Sequence, residues 1–392
     1  MRERVKQEFE QVFGKKATHV FSAPGRTEVC GNHTDHQHGK VLAGAIDLEA
    51  VAAVRKNDSR TVHFLSEGYP MCEVDISDLT VYDEEAGTTK ALLRGVAAAF
   101  ANAGNKVEGF DAYVASSVLP GSGLSSSAAI EVLIGTIFNG LFDCGRTFVE
   151  VAQFGQYAEN VYFKKPCGLM DELASSSGSL VYIDFNDPAV PVIERIPLDE
   201  EKFAHAICII DSGAGHADLT DEYAAVTREL KEVCRFFGKD FLREIDEDDF
   251  YGKLAEVRAV VGDRACLRAM HVYEENKRVD KQRENLIKGD YDAFLAVENA
   301  SGKSSRDNLQ NITPAGRREH QEVAFALTLA EKFLGGRGAV RVHGGGFAGT
   351  IQAFVPFDMV DDFVASMDSV LGEGACHVLH IREQGGCLVE SL

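Results

Sequence analysis

The chain has 392 residues, more than one small core requires, so two domains are expected. A hydrophobic share of 45% and a charged share of 26% are ordinary for a globular protein, and no run of about 18 uncharged apolar residues offers a membrane span. With 40 Lys and Arg against 61 Asp and Glu the formal net charge is −21, which argues against nucleic acid or an anionic membrane as a general partner while leaving room for a local phosphate pocket.

Residues 1–16 are charged and amphipathic, with the pattern of a helix and no apolar signal-peptide core. The nine cysteines are odd in number and none has C-x-x-C spacing. That points away from a zinc site or a disulfide framework and toward a reducing compartment. A cytoplasmic monomer is expected.

Next comes a dense polar segment at 24–39, which includes Arg26, Asn32, His33, Thr34, Asp35, His36 and His38. It lies between two apolar runs and reads as a binding loop. Arg26 suits a phosphate or a carboxylate, and Asn32, His33 and Asp35 offer donors and acceptors for sugar hydroxyls. The three histidines could also suit zinc, but no Cys or carboxylate pattern completes that set, and sugar binding is preferred.

Residues 41–55 read as a buried strand, and the alternation over 110–118 as another. Apolar residues at 130, 133, 134, 137, 138 and 141 give helix period over 125–142. A second helix is expected over 147–164, stopped before Pro166. An apolar run at 204–211 follows a domain boundary placed near 200, giving domains 1–200 and 201–392. Helices are expected over 218–237 and from 248 to about 297. Strands are expected at 339–342 and 350–355 around a glycine-rich turn, and at 377–381. Strands interleaved with helices make both halves α+β.

Between the strand 110–118 and the helix 125–142 runs Pro120-Gly121-Ser122-Gly123-Leu124-Ser125-Ser126-Ser127-Ala128-Ala129. Glycines let a backbone approach a ligand closely, and a helix N-terminus presents free N–H groups to an anion. A serine N-cap in a turn would need only one or two such residues, so phosphate binding is the favoured reading. No Gly-Lys-Ser/Thr is present, so this is not a Walker A loop. Farther on, Asp171 in Cys167-Gly168-Leu169-Met170-Asp171 is a helix cap or a functional carboxylate on local grounds.

Taken together, these segments resemble the GHMP kinase superfamily, and within it the galactokinases. The resemblance rests on Pro24-Gly25-Arg26 with His33-Thr34-Asp35, on Pro120 to Ala128, on Cys167 to Asp171, and on Gly344-Gly345-Gly346-Phe347-Ala348-Gly349. It implies an N-terminal α+β domain resembling a ribosomal-protein domain, a ferredoxin-like C-terminal domain, and an active site between them. It further implies an ATP- and Mg²⁺-dependent sugar 1-kinase, with galactose the first choice, galacturonate or arabinose the alternatives, and a non-catalytic sugar and ATP sensor a lesser one. By the same resemblance Asp171 is the catalytic carboxylate and Arg26 stabilises the transferring phosphoryl. Gly121, Ser122, Gly123, Leu124, Ser125, Ser126 and Ser127 hold ATP, and Ser127 and Glu159 hold Mg²⁺. Asn32, His33, Thr34, Asp35 and Tyr223 line the sugar pocket. Three departures stand out: Asn32 where galactokinases carry Glu, Glu172 where Gln is common, and Gly302 where His is usual.

Overall fold

A computed structural model describes residues 1–118, 123–215 and 219–392. The first sheet contains β1 (His19–Cys30), β2 (Lys40–Lys56), β3 (Thr61–Ser66), β4 (Cys72–Asp75), β5 (Phe110–Ser116), β6 (Leu180–Asp184) and β7 (Val192–Ile196). The second contains β8 (His205–Ala214), β9 (Ala339–Val342), β10 (Gly349–Pro356) and β11 (Cys376–Leu379), in the order β11-β8-β10-β9. A final strand, β12 (Cys387–Ser391), pairs with β1 and closes one edge of the first sheet, whose main path runs β12-β1-β2-β5-β3-β4. The pairings are antiparallel except that of β3 with β5.

Strand alternation sorts the side chains between layers. Phe21, Ala23, Ala52 and Val54 face a core built with Val96, Phe100, Val132 and Phe138, from the helices Thr89–Asn102 and Ser126–Leu141. Val20, Val51 and Ala53 turn the other way, onto Val5 and Phe9 of the helix Arg2–Phe13. In the second sheet Cys208, Ile210, Ile351 and Ala353 pack under the helices Glu322–Leu334 and Val360–Leu371. The opposite face supplies Ile207 and Phe354 to a cluster with Val29 and Leu42 from the first sheet. That shared apolar seam fixes one sheet against the other, and the motif residues gather beside it.

The mixed α+β architecture follows the sequence pattern, and three of the expected elements take a different form. Residues 24–30 are buried strand and not loop, because Arg26, Thr27 and Glu28 find charged or polar partners inside the protein. The helix begun by a Thr147–Glu150 capping box ends as Phe148–Tyr157 and widens into a π turn over Ala158–Phe163, which carries Glu159. The helical run from 248 breaks into Glu247–Gly252, Leu254–Val261, Asp263–Lys288 and Tyr291–Ser304, with Gly262 and Gly289 at positive φ. Gly302 lies where this last helix meets β9, and a Cβ there would come within 2.8 Å of the Val340 carbonyl oxygen. A larger residue at 302 therefore requires the helix and strand to separate. No helix among the described residues is long and apolar enough to cross a membrane.

Candidate active site

Arg26 enters the site from the middle of β1, almost fully buried. Its backbone N–H donates to the Leu124 carbonyl at 3.1 Å, which presses the strand against the loop leading into the helix Ser126–Leu141. Gly25 permits the approach, since a Cβ there would lie 2.9 Å from the same carbonyl oxygen. The Arg26 Nε donates to Asp171 Oδ1 at 2.7 Å and Nη2 to Oδ2 at 2.6 Å, a two-pronged ion pair. Nη1 donates to the Gly123 carbonyl, and the Ser125 hydroxyl donates to Asp171 Oδ2. Ser125 has φ 54°, a left-handed conformation that a side chain adopts at some cost. Asp171 occupies the first turn of the helix Met170–Ser177, where the macrodipole favours its charge. Burial alone would lift its carboxyl, but the Arg26 guanidinium and the Ser125 hydroxyl outweigh burial and hold it below the usual carboxylate range.

A cavity of about 210 Å³ opens beside this pair, and Arg26, Asn32, His33, Asp35 and Asp171 all border it. A larger cavity of about 480 Å³, lined by Lys40, Arg243, Tyr273 and Lys277 among others, shares no residue with it and none of the motifs, so chemistry and not size marks the site. Asp35 is raised above the ordinary carboxylate value by burial and then by the Asp171 charge. Gly168 must lack a side chain, since a Cβ there would come within 2.0 Å of Asp35 Oδ2. His33 Nδ1 contacts His36 Nε2 at 3.2 Å, and burial together with His33 pushes His36 down to about 3, so its imidazole is neutral. His38 leaves this group and stacks on Phe241, with ring centroids 3.6 Å apart.

The other expected site residues are distributed as follows. Thr34 turns inward, its single hydroxyl proton shared between the Gly31 carbonyl at 2.9 Å and the Lys40 carbonyl at 2.5 Å. Tyr223 donates to the Gly346 carbonyl at 2.7 Å and packs edge-on to Phe347, so it supports the glycine turn behind the cavity wall. Ser126 and Ser127 open the helix, half-buried, while Gly121 and Ser122 lie outside the described residues.

Behind the helix stands an acidic group that the sequence reading did not assemble. Glu159, Cys167 and Glu172 each place a ligand atom within 4.8 Å of the others. Lys165 answers Glu159 at 2.8 Å, while both oxygens of Glu131 and Oε2 of Glu172 are buried without a partner. Burial, then the neighbouring carboxylates, push Glu131 and Glu172 well above the usual range. Oxygen donors of this kind suit a hard cation such as Mg²⁺, but the unanswered oxygens are those of Glu131 and Glu172, whereas Glu159 is paired with Lys165.

Two family models match the chain. The galactokinase galactose-binding signature covers residues 7–56, and the GHMP kinase N-terminal domain covers residues 91–179. The chain also superposes over its full length on all of Lactococcus lactis galactokinase, solved with galactose, with a TM-score of 0.82 and 25% identity. The chain thus carries a galactokinase galactose-binding signature and a GHMP kinase N-terminal domain. Methanococcus jannaschii mevalonate kinase is matched over 93% of this chain and 98% of its own (TM-score 0.65, 13% identity). A D-glycero-D-manno-heptose 1-phosphate kinase from Bacteriodes thetaiotaomicron is matched over 95% and 98% (TM-score 0.64, 14% identity). These two share the fold of this chain. Within that fold the signature contains Arg26, Asn32, His33 and Asp35, and the N-terminal domain model spans the serine loop, Glu159 and Asp171.

Sequence reasoning missed Glu28, Asn311 and Arg341. Arg341 Nη2 donates to Glu28 Oε1 at 2.7 Å, and Asn311 Nδ2 donates to Asn32 Oδ1 at 2.8 Å. The one local signal was a charged Glu28 inside an otherwise buried strand.

Proposed function

We propose that this galactokinase-like kinase is an ATP-dependent sugar 1-kinase that phosphorylates galactose at its anomeric hydroxyl. The observation that carries the reading is the two-pronged Arg26–Asp171 pair, its guanidinium buried and its carboxylate partly exposed, tied by Ser125 and Gly123 to the serine loop and standing on the wall of the cavity beside it.

The residues divide the work. Gly123 to Ser127, at the mouth of the helix, receive the triphosphate through backbone N–H groups and hydroxyls. Ser127 and Glu159 would hold Mg²⁺, which would supply neutralisation of phosphate charge. Asp171 fixes the direction of the acceptor hydroxyl. Because Arg26 and Ser125 keep it charged, it is a weak base and takes the hydroxyl proton late, as the phosphoryl group arrives. Arg26 anchors Asp171 and lends positive charge to the side on which negative charge builds. Such transfer depends on positioning and electrostatics more than on covalent help.

The test is ADP release measured across galactose, galacturonate, arabinose and mevalonate. Turnover of galactose supports the proposal. If galactose is inert while galacturonate or arabinose reacts, the first substrate choice fails, and reaction of mevalonate alone removes the galactokinase reading. Turnover of any sugar excludes a sensor without catalysis.

A further inference from the structure

Asn32 borders the cavity but has no exposed surface. Its Nδ2 donates to the Gly344 carbonyl at 2.6 Å and to both Glu28 oxygens, at 3.1 Å and 3.4 Å. Its Oδ1 accepts from Asn311 Nδ2 at 2.8 Å and from the Ser305 hydroxyl at 3.4 Å. The amide cannot be turned around, since its oxygen would then face a carboxylate and a carbonyl, so both of its ends are committed.

Glu28 is placed differently. It is buried in β1 and lines the same cavity. Oε1 is held by Arg341 at 2.7 Å and by Asn32, which fixes the plane of the carboxylate. Oε2 has only the 3.4 Å contact from Asn32 among the described residues. A carboxylate oxygen accepts more than one long hydrogen bond, so acceptor capacity remains at the cavity wall.

The charges bordering the cavity are mostly negative. Glu28, Asp35 and Asp171 bring three carboxyl groups. Among the described residues Arg26 is the one Arg or Lys on the wall, and its Nε, Nη1 and Nη2 are engaged by Asp171 and Gly123. His36 is neutral, and the His33 ring nitrogens are taken by His36 and by the Gly345 carbonyl. A sugar hydroxyl meets acceptors here, whereas a sugar carboxylate meets like charge with no cation left to receive it.

We infer that Glu28, oriented by Asn32 and Arg341, is the carboxylate that reads a substrate hydroxyl, and that this pocket selects a neutral sugar and rejects uronic acids. This rests on the sugar-kinase reading for its setting and deepens it by naming the substrate class. Glu28 thereby brings a carboxylate to a pocket in which position 32, a Glu in galactokinases, is Asn.

The experiment is calorimetric binding of galactose, its monodeoxy analogues, arabinose and galacturonate to the full chain and to Glu28→Gln, with ATP binding measured alongside. The wild-type protein is expected to bind a neutral sugar of this set and to favour galactose over galacturonate. Glu28→Gln is expected to weaken the neutral sugar about 10- to 100-fold, as for loss of a charged hydrogen-bond acceptor, with ATP affinity unchanged. One monodeoxy analogue should bind wild-type protein weakly and lose nothing further in the variant. The inference is overturned if galacturonate binds wild-type protein as tightly as the best neutral sugar, or if Glu28→Gln binds that sugar normally. Should the variant fail to fold, the wild-type comparison of galacturonate with the neutral sugars decides. Binding without ADP release on adding ATP would remove the kinase reading and leave the role of Glu28 standing.

Discussion

Beneath the cavity lies a charge imbalance that can be measured. Arg341 and Arg278 are two guanidiniums among three carboxyl groups, Glu28, Glu275 and Glu298. Arg341 pairs with Glu28 at 2.7 Å and Arg278 with Glu275 at 2.6 Å. His271 adds no positive charge at neutral pH, because burial pushes it down to about 4. Glu298 is the carboxyl left over: fully buried, with Oε1 accepting from Gln282 Nε2 at 2.6 Å and Oε2 without a partner. Burial pushes it up to about 8 in spite of Arg341 nearby. An unfolded Glu titrates near 4.3, so between the two values the folded protein holds a proton that the unfolded chain has released. The contribution of Glu298 is therefore complete below the unfolded value and drains away as pH rises to the folded one, at about 1.4 kcal/mol per pH unit. From about pH 6.5 to about pH 8.5 that amounts to about 2 kcal/mol, or about 2–3 °C in Tm for a chain of this size. Glu298→Gln keeps the acceptor for Gln282 and has no proton to lose, so its profile should be the flatter by that amount. Thermal unfolding of both proteins across the interval, followed by circular dichroism, checks this. Parallel Tm profiles would refute the reasoning and mean that Glu298 is already ionised in the folded protein.

Asp171→Asn should abolish turnover while leaving ATP binding nearly intact; a variant keeping more than about a tenth of the wild-type kcat, under ~1.4 kcal/mol lost, removes Asp171 from its role. Arg341→Met leaves the Glu28 carboxylate buried beside an apolar chain and should cost about 3–5 kcal/mol, read from the midpoint of urea unfolding. Glu172→Gln removes one of two adjoining buried carboxyls whose partnerless oxygens face low dielectric. Both groups lie well above their ordinary values, so the stability they contribute is lost as pH rises, and the substitution should raise Tm most at alkaline pH.

The sequence made legible the features whose cause is local. A Gly-Ser run between a strand pattern and a helix pattern announces an anion-receiving helix start, and the structure begins a helix at Ser126. Arg26 and Asp171 were legible through their motifs and meet across 145 positions of sequence. Glu28 was not, because what makes a buried glutamate tolerable in β1 is Arg341, 313 positions away. Periodicity also ran straight through Gly262 and Gly289, which divide the long helical stretch, since both glycines interrupt a pattern that remains apolar on either side. The strands β3, β4, β6 and β7 were missed, being short or mixed in polarity and recognisable only by the neighbours they pair with.

One edge of the first sheet has a consequence for synthesis. β1, the strand that carries Arg26, finds its outer neighbour in β12, through His19 opposite Ser391 and Ser22 opposite Cys387. While the ribosome is still making the intervening residues, that flank of β1 has unpaired amides and carbonyls able to recruit a stray strand. The strand of Arg26 therefore settles only after translation has passed Ser391, and a nascent chain stalled before Cys387 would leave the ribosome with an adhesive edge.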